Sequence, residues 1–323
     1  MMKDAILQFN KQFSYQPKIE NKAKLKKYKK FIVLGMGGSH LAADVLQSYN
    51  PSLDLMVRSD YGLPELPLST LKQSLILACS YSGNTEEVLE GFEMARKKKL
   101  PLAVIAVGGK LLELAKKHQV PYIELPNTGI QPRSALGFSF MALLAMMNEK
   151  KAFQEAQKLM KSLQPKKFEL AGKILAKKLQ GTVPVIYTSS RNKAVAYNWK
   201  IKLNETGKIP AFYNVIPELN HNEMTGFDIA DSTKQLSHNL SFLFLIDPAD
   251  HPRNIRRMKI LEKLYQDRGL QTDIIPLKGK THLQKIFFSL LLADWTAVYL
   301  AEHYGLESEQ VPMVEEFKKL IAK

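Results

Sequence analysis

The sequence predicts an α/β fold with two doubly wound parallel sheets, and two observations carry this prediction. Short apolar runs alternate with longer segments that have the apolar spacing of helices, which is typical of parallel sheets with helical crossovers. The same order of strand, turn and helix occurs in both halves of the chain, so two copies of one α/β unit are the simplest account. Because 323 residues suffice for two domains of about 150 residues each, we expect domains at 1–150 and 181–323, joined by a helical linker at 151–180.

The first half contains five apolar runs that are short and bounded by polar or turn residues, as buried strands of a parallel sheet are. The lysine-rich residues 1–28 precede them and are predicted to be an arm or helix that leads into the first strand. The predicted strands are residues 31–34, 53–57, 74–79, 102–107 and 122–125, and the predicted helices are residues 41–49, 86–98, 111–118 and 135–147.

The second half repeats this pattern after a charged helical segment that Pro165 interrupts, which makes that segment the best linker candidate. Its first strand is followed by a Thr-Ser-Ser turn and a helix from Asn192, as the first strand of the chain is followed by a Gly-Gly-Ser turn and a helix. The predicted strands are residues 183–187, 241–246 and 272–277, and the later predicted helices are residues 253–267 and 283–303.

Two turns in the first half combine hydroxyl groups with glycine, and both follow a predicted strand. In doubly wound sheets, ligands bind outside the carboxyl ends of the strands. A helix N-terminus after such a turn favours a bound anion, and hydroxyls can donate to phosphate oxygens. The alternative is an ordinary turn with a capping threonine. The residues that we predict to form an anion-binding cradle are Gly37, Gly38 and Ser39 in one turn and Ser80, Ser82, Gly83 and Thr85 in the other.

The formal net charge is +15, which could indicate nucleic acid, an anionic membrane or acidic small molecules as partners. The lysines are spread over several helical segments and therefore fit solvated helix faces. There is no zinc-finger spacing and no alternation of aromatic and basic residues. No apolar run reaches the roughly 18 residues that span a bilayer, and the N-terminus lacks the apolar region of a signal peptide. We therefore expect a cytoplasmic protein with no nucleic-acid or membrane partner.

Cofactor and metal motifs are incomplete in this sequence. His40 stands where the dinucleotide-binding pattern G-x-G-x-x-G requires its third glycine, so no redox cofactor is predicted. His221 and Glu223 form an isolated H-x-E with no cysteine pair after it, so no metal site is predicted. Cys79 is the single cysteine, which excludes an internal disulfide and suits a small core residue in a reducing compartment.

Three charged residues are candidates for chemistry. Arg133 begins a helix, where a cation is electrostatically unfavourable, so it is either solvated or faces an anion. Glu205 ends an apolar helix, where the dipole disfavours the ionised carboxylate, as suits a general base. His221 lies in a polar loop, where Asn and Glu neighbours could orient either ring nitrogen, although a loop histidine is most often merely exposed.

Five stretches of the chain together resemble the bifunctional phosphoglucose/phosphomannose isomerases, which are tandem sugar-isomerase (SIS) domain proteins of the phosphoglucose isomerase superfamily. SYSGNT is typical of SIS domains in general, whereas Glu205 and His221, sixteen residues apart, narrow the resemblance to this family. The stretches are GMGGS at 35–39, SYSGNT at 80–85, PRS at 132–134, NE at 204–205 and PELNHNE at 217–223. The resemblance implies flavodoxin-like SIS subdomains.

The resemblance also implies an activity: interconversion of glucose 6-phosphate, and of mannose 6-phosphate, with fructose 6-phosphate through a cis-enediolate. Glu205 would move the proton between C2 and C1, and Arg133 would stabilise the developing charge. His221 and Lys318 would open the sugar ring, with Lys319 as the alternative lysine. The phosphate would bind to Ser39, Ser80, Ser82 and Thr85, with Gly37 and Gly38 giving backbone access.

Two further expectations follow from the family. Its members place the loop histidine in the neighbouring subunit's site, so a homodimer with shared active sites is expected. Residues 307–310 read Glu-Ser-Glu-Gln, where family members commonly have Asp-Pro-Thr-Pro. The resemblance therefore implies activity on glucose 6-phosphate more strongly than activity on mannose 6-phosphate.

Other functions remain as alternatives at this point. One is a different SIS-domain isomerase, or the isomerase half of an amidotransferase. Another is a regulator that binds sugar phosphates without turnover. A regulator would carry a helix-turn-helix segment, for which residues 1–28 are too short.

Overall fold

A computed structural model describes residues 2–321, which fold as two compact units. The N-terminal unit is Gln8–Leu163, and the C-terminal unit combines helix α1, Met2–Leu7, with the chain from Gln164 onwards. The boundary after Leu163 lies inside the segment that we expect to link the domains.

The N-terminal unit is built on a parallel sheet of five strands in the order β2-β1-β3-β4-β5. All seven residues of β3 are buried, which explains its continuous apolar run, because a central parallel strand is covered on both faces. The strands are β1 Lys30–Leu34, β2 Asp54–Arg58, β3 Ser74–Ser80, β4 Leu102–Ala106 and β5 Tyr122–Glu124. The five strands that the sequence predicts are all present.

Seven helices belong to this unit. Phe92 packs into the core formed by alternate residues of β1, β3 and β4, and burying one such side chain contributes roughly 1.5–3 kcal/mol. The helices are α2 Leu41–Tyr49, α3 Leu68–Gln73, α4 Glu86–Lys97, α5 Gly109–Lys117, α6 Leu136–Met146, α7 Lys150–Gln157 and α8 Leu159–Ser162.

The C-terminal unit repeats the same architecture with a parallel sheet in the order β7-β6-β8-β9. Strand β6 therefore corresponds to β1, and β8 corresponds to β3. This correspondence confirms the predicted fold of two parallel-sheet α/β units. The strands are β6 Val183–Ser189, β7 Phe212–Ile216, β8 Leu240–Ile246 and β9 Gln271–Pro276.

Strand β7, which lies between Glu205 and His221, was not predicted from the sequence. It is an edge strand with one buried residue, Ile216, while Phe212 is 58% exposed. An edge strand of this kind has no continuous apolar run, and so it lacks the signal that identified the central strands.

Helix α13, His282–His303, is the central helix of the C-terminal unit. By length and composition alone it could cross a membrane, but 72% of its apolar window is buried inside the structure. A Cβ added to Gly172 would lie 2.4 Å from Cβ of Trp295, so another helix packs closely against α13. The remaining helices are α9 Glu169–Lys178, α10 Lys193–Glu205, α11 Lys234–Ser237, α12 Pro252–Gln266 and α14 Pro312–Ile321.

Candidate active site

The turn between β3 and α4 forms a small cage of hydroxyl groups. Ser80, the last residue of β3, places its Oγ 2.8 Å from Oγ1 of Thr85, which directly precedes α4. The Gly83 amide donates to Ser80 Oγ at 3.0 Å, and the Asn84 amide approaches Ser82 Oγ at 3.3 Å. The predicted hydroxyls therefore lie together at a helix N-terminus, where backbone amides and the helix dipole favour an anion.

The glycine-rich turn after β1 joins this cage. Ser39 Oγ accepts a hydrogen bond of 2.9 Å from the Tyr81 amide, because β1 and β3 are neighbouring parallel strands whose carboxyl ends meet at one edge. Gly37 has φ +50°, a left-handed conformation that favours glycine. The N-terminal unit thus brings both predicted turns into one site.

A third turn, between β4 and α5, supports the cage. Gly83 has φ +75°, and a Cβ added there would lie 1.8 Å from the Gly108 carbonyl oxygen. A Cβ added to Gly109 would lie 2.4 Å from the Ser82 carbonyl oxygen. Asn84 Oδ1 accepts from the Lys110 amide at 3.0 Å. The two turns are therefore in direct backbone contact, and neither tolerates a side chain at these glycines.

Arg133 lies in the turn Pro132–Ser134 and is only 2% exposed. The alternative of a solvated arginine is therefore wrong. A Cβ added to Gly38 would lie 2.9 Å from Pro132 Cβ and 3.1 Å from the Arg133 amide nitrogen. The arginine turn therefore packs directly against the glycine turn that carries Ser39.

Glu205 is the last residue of α10 in the C-terminal unit, as predicted, and is half-buried. Its carbonyl oxygen accepts a hydrogen bond of 2.7 Å from Lys208 Nζ, which also contacts the Gln310 carbonyl oxygen. One turn earlier in the helix, Lys202 forms an almost fully buried ion pair of 2.5 Å with Asp294 on α13. The end of the helix that carries Glu205 is thus held at two points.

His221 is exposed and ends the short turn Glu218–His221. Its neighbours bond to other groups and do not orient its ring as the sequence suggested. Asn222 Nδ2 donates to Glu218 Oε1 at 2.9 Å. Glu223 accepts hydrogen bonds from the Tyr187 hydroxyl and from Asn214 Nδ2. Glu223 therefore anchors the loop that carries His221 to β6 and β7.

The carboxyl ends of β6 and β8 hold two buried aspartates. Asp247 is fully buried and bonds to Lys285 Nζ at 2.5 Å. Burial raises the pKa of Asp247, but the bond from Lys285, the bond from the Ala249 amide and the Arg191 charge together outweigh it, so the pKa is lowered.

Asp250, by contrast, has a raised pKa, chiefly because it is buried. Its Oδ1 accepts from Ser189 Oγ at 2.7 Å and from Asn192 Nδ2 at 3.1 Å. Asp250 therefore joins the turn after β6 to the turn after β8.

Lys318 lies on α14 and forms an exposed ion pair of 2.7 Å with Glu315. Lys319, the alternative, is on the same exposed helix. The two compact units thus divide the predicted residues. The N-terminal unit holds Gly37, Gly38, Ser39, Ser80, Ser82, Thr85 and Arg133, and the C-terminal unit holds Glu205, His221 and Lys318.

Comparison with known proteins identifies the family of this chain. The family model described as the bacterial phospho-glucose isomerase C-terminal SIS domain matches residues 168–321. A protein of Aquifex aeolicus named bifunctional phosphoglucose/phosphomannose isomerase is 32% identical over 301 residues, which are 92% of this chain and 91% of that relative. The chain belongs to this family. A bifunctional phosphoglucose/phosphomannose isomerase of Thermoplasma volcanium is 31% identical over 310 residues, or 95% and 96% of the two chains.

More distant comparisons agree on the fold. The glucosamine-6-phosphate deaminase of Thermotoga maritima superposes with a TM-score of 0.69 at 15% identity, covering 96% of both chains. A relative from Sulfolobus acidocaldarius, 26% identical over 300 residues that are 91% of this chain and 90% of its own, is named D-glucosamine-6-phosphate 4-epimerase. That name describes a different reaction, so similarity of this order does not by itself determine the reaction.

Two further features of this family member bear on chemistry. Within residues 2–321, no group of three or more His, Cys, Asp or Glu side chains is arranged to hold a metal ion. Burial raises the pKa of the Cys79 thiol to about 12, so this cysteine is a core residue and not a nucleophile.

The supporting glycines 108 and 109 were not identified from the sequence, although a Gly-Gly pair directly after a buried strand was the available signal.

Proposed function

We propose that this chain is an aldose–ketose isomerase that interconverts glucose 6-phosphate, and with it mannose 6-phosphate, with fructose 6-phosphate. The observation that carries the proposal is the hydroxyl cage at the N-terminus of α4, where the Ser39, Ser80 and Thr85 hydroxyls are gathered. Such a cage suits the phosphate of a sugar phosphate. Its binding energy would orient the reacting carbons.

The reaction needs only proton movements. A base removes the proton from C2 of the open-chain aldose. The electron pair of that C–H bond forms the C1–C2 double bond, and the π electrons of the C1 carbonyl move to O1, which gives a cis-enediolate. O1 then takes up a proton, O2 gives up its proton as the carbonyl group forms at C2, and the same base returns a proton to C1. Because the hydrogen moves within the substrate, no redox cofactor is required.

Glu205 is the proposed base, since it is half-buried at a helix end that two interactions hold in place. Arg133 is the proposed partner of the enediolate oxygen. Its burial supports this role, because a guanidinium stabilises a developing negative charge more strongly where water is excluded.

Ring opening requires an acid and a base at the sugar ring, and we assign these roles to His221 and Lys318. Both side chains are exposed. We also propose a homodimer in which His221 enters the neighbouring subunit's site, for which its exposure is favourable. A cytoplasmic location and the absence of nucleic-acid and membrane partners complete the proposal. The spread of the lysines and the single buried thiol support it.

Replacement of Glu205 with glutamine tests the mechanism directly. Glu205→Gln keeps the shape of the side chain and removes the base, so we expect turnover to fall by about 10² to 10⁴, the range of a positioned acid–base group. Exchange of the C2 proton with deuterium from solvent should be lost as well. Glu113→Gln, at an exposed position of α5, is the matched control. Retained C2 exchange in Glu205→Gln would overturn the assignment of the base.

A mixing experiment tests the shared site. Glu205→Gln and His221→Ala chains are unfolded together, refolded together and assayed. Mixed dimers should contain one site with both functional groups and recover part of the activity. If the mixtures stay inactive while refolded wild-type protein recovers, the histidine acts within its own subunit.

A further inference from the structure

Gln12 is a buried side chain whose hydrogen bonds all go to one distant turn. It lies in the short 3-10 helix Phe9–Ser14 and is 3% exposed. Its Nε2 donates to the Ser134 carbonyl oxygen at 2.7 Å. Its Oε1 accepts from the amides of Gly137 at 2.9 Å and Phe138 at 3.2 Å. One glutamine thus forms three hydrogen bonds with a segment more than 120 residues away in the chain.

These bonds replace a local helix cap. The first amides of an α-helix have no partner within the helix, and the residue before α6, Ala135, forms no side-chain cap. Gln12 satisfies two of these amides. A Cβ added to Gly137 would lie 2.7 Å from Gln12 Cβ, so the glutamine fits closely against the start of the helix.

The same contact fixes the backbone of Arg133. Gln12 holds the carbonyl group of Ser134, the next residue, while Gly38 packs against Pro132, the preceding one. The turn is closed by a 2.8 Å bond from the Ser134 amide to the Gln131 carbonyl oxygen. The arginine backbone is therefore held on both sides, by a side chain after it and by a glycine before it.

We propose that Gln12 is a positioning residue that sets the place of the Arg133 guanidinium. This inference rests on the proposed function, in which Arg133 stabilises the enediolate. Gln12 does not meet the substrate and acts through the turn. Its loss should therefore lower kcat and leave phosphate binding, and with it KM, nearly unchanged.

Gln12→Met tests the proposal, because methionine has a similar length and forms none of the three bonds. A displacement of about 1 Å at a catalytic group can cost about 10²-fold in rate, so we expect kcat to fall by about 10- to 100-fold with KM changed less than about threefold. Gln12→Glu keeps the acceptor for the two helix amides but loses the donor to Ser134, and should give an intermediate kcat. It also carries the test if Gln12→Met fails to fold.

Phe13→Leu is the control for a merely structural effect. Phe13 is the adjacent residue and is fully buried, and its truncation should lower the melting temperature without changing kcat. If Gln12→Met and Phe13→Leu lower the melting temperature equally and leave equal kcat values, the positioning role is refuted.

Arg133→Ala separates this inference from the proposed function. If Arg133→Ala keeps wild-type kcat, the proposed role of the arginine fails, and the positioning role of Gln12 fails with it. If Arg133→Ala is nearly inactive while Gln12→Met turns over normally, the proposed function stands and the inference about Gln12 is wrong. A double variant no slower than Arg133→Ala alone would support a role exerted through the arginine.

Discussion

A single added carbon at Gly83 should disturb phosphate binding as well as folding. Among the glycines of the chain, Gly83 has the closest contact for an added Cβ, 1.8 Å to the Gly108 carbonyl oxygen. The obstacle is backbone in a neighbouring turn, so no side-chain rotation can relieve it. Gly83→Ala should therefore push apart the two turns that form and support the hydroxyl cage.

The size of the effect has two parts. The left-handed conformation, φ +75°, costs a non-glycine residue roughly 1–2 kcal/mol. An ordinary contact between the added Cβ and the Gly108 carbonyl oxygen begins at 3.4 Å. The two turns must therefore move apart by more than about 1 Å, and a displacement of this size at a binding site can cost about 10²-fold in rate. Both parts lower stability, and the second also displaces the Gly83 amide that donates to Ser80 Oγ.

Gly269→Ala is the matched control, because Gly269 has φ +76° and nothing within 4 Å of an added Cβ. It lies between α12 and β9, at the amino end of that strand. Kinetics with glucose 6-phosphate, inhibition by inorganic phosphate and thermal unfolding should be measured for both variants. We expect both to lose stability, and only Gly83→Ala to lose about 100-fold in kcat/KM and to bind phosphate weakly. Equal kcat/KM values for the two variants would refute the assignment of the cage.

Three other perturbations test the remaining parts of the site. The double change Ser80→Ala and Thr85→Ala removes two hydrogen-bond donors, each of which contributes about 1.5–3 kcal/mol when it bonds to a charged acceptor. KM for the sugar phosphate should therefore rise at least about tenfold. A KM within twofold of wild type would count against phosphate binding at these hydroxyls. Glu223→Gln places an amide nitrogen against a donor and should loosen the loop of His221, lowering kcat on cyclic hexose phosphates more than on an open-chain aldose phosphate; equal losses on both would argue against ring opening by the histidine. The lowered pKa of Asp247 means that its contribution to stability is complete above the ordinary aspartate pKa of about 3.9 and disappears as the pH falls through the lower folded value. The gap in melting temperature between wild type and Asp247→Asn should thus be constant near neutral pH and shrink in acid, and a gap that widens in acid would contradict the assigned direction.

The central strands were predictable from the sequence because a strand that is buried on both faces has apolar residues at consecutive positions. Strands β1, β3, β4, β6 and β8 are continuous apolar runs. Helix α14 was not predicted, although Met313, Phe317 and Leu320 have helical spacing. All three are exposed, so α14 is an amphipathic helix whose apolar face is not buried within residues 2–321.

The hydroxyl residues within one turn of the site were also predictable from the sequence. The distant residues that hold the site residues in place were not. Ser80 and Thr85 lie five residues apart in one strand-to-helix turn, so their proximity follows from the chain itself. Gln12, Gly108 and Asp294 reach the site residues only through tertiary packing. Sequence spacing carries no information about such partners, because sheet order and helix packing decide which segments meet.

The two parallel-sheet units differ in the group that joins the turns at their sheet ends. In the N-terminal unit, the turns after β1 and β3 are joined through a neutral hydroxyl, Ser39, which accepts from the Tyr81 amide. In the C-terminal unit, the corresponding turns after β6 and β8 are joined through the carboxylate of Asp250, which accepts from Ser189. The Ser189 hydroxyl donates its proton to Asp250, whereas the Ser39 hydroxyl accepts from the Tyr81 amide and keeps its own proton for another acceptor. This difference supports the proposal that the phosphate binds in the N-terminal unit.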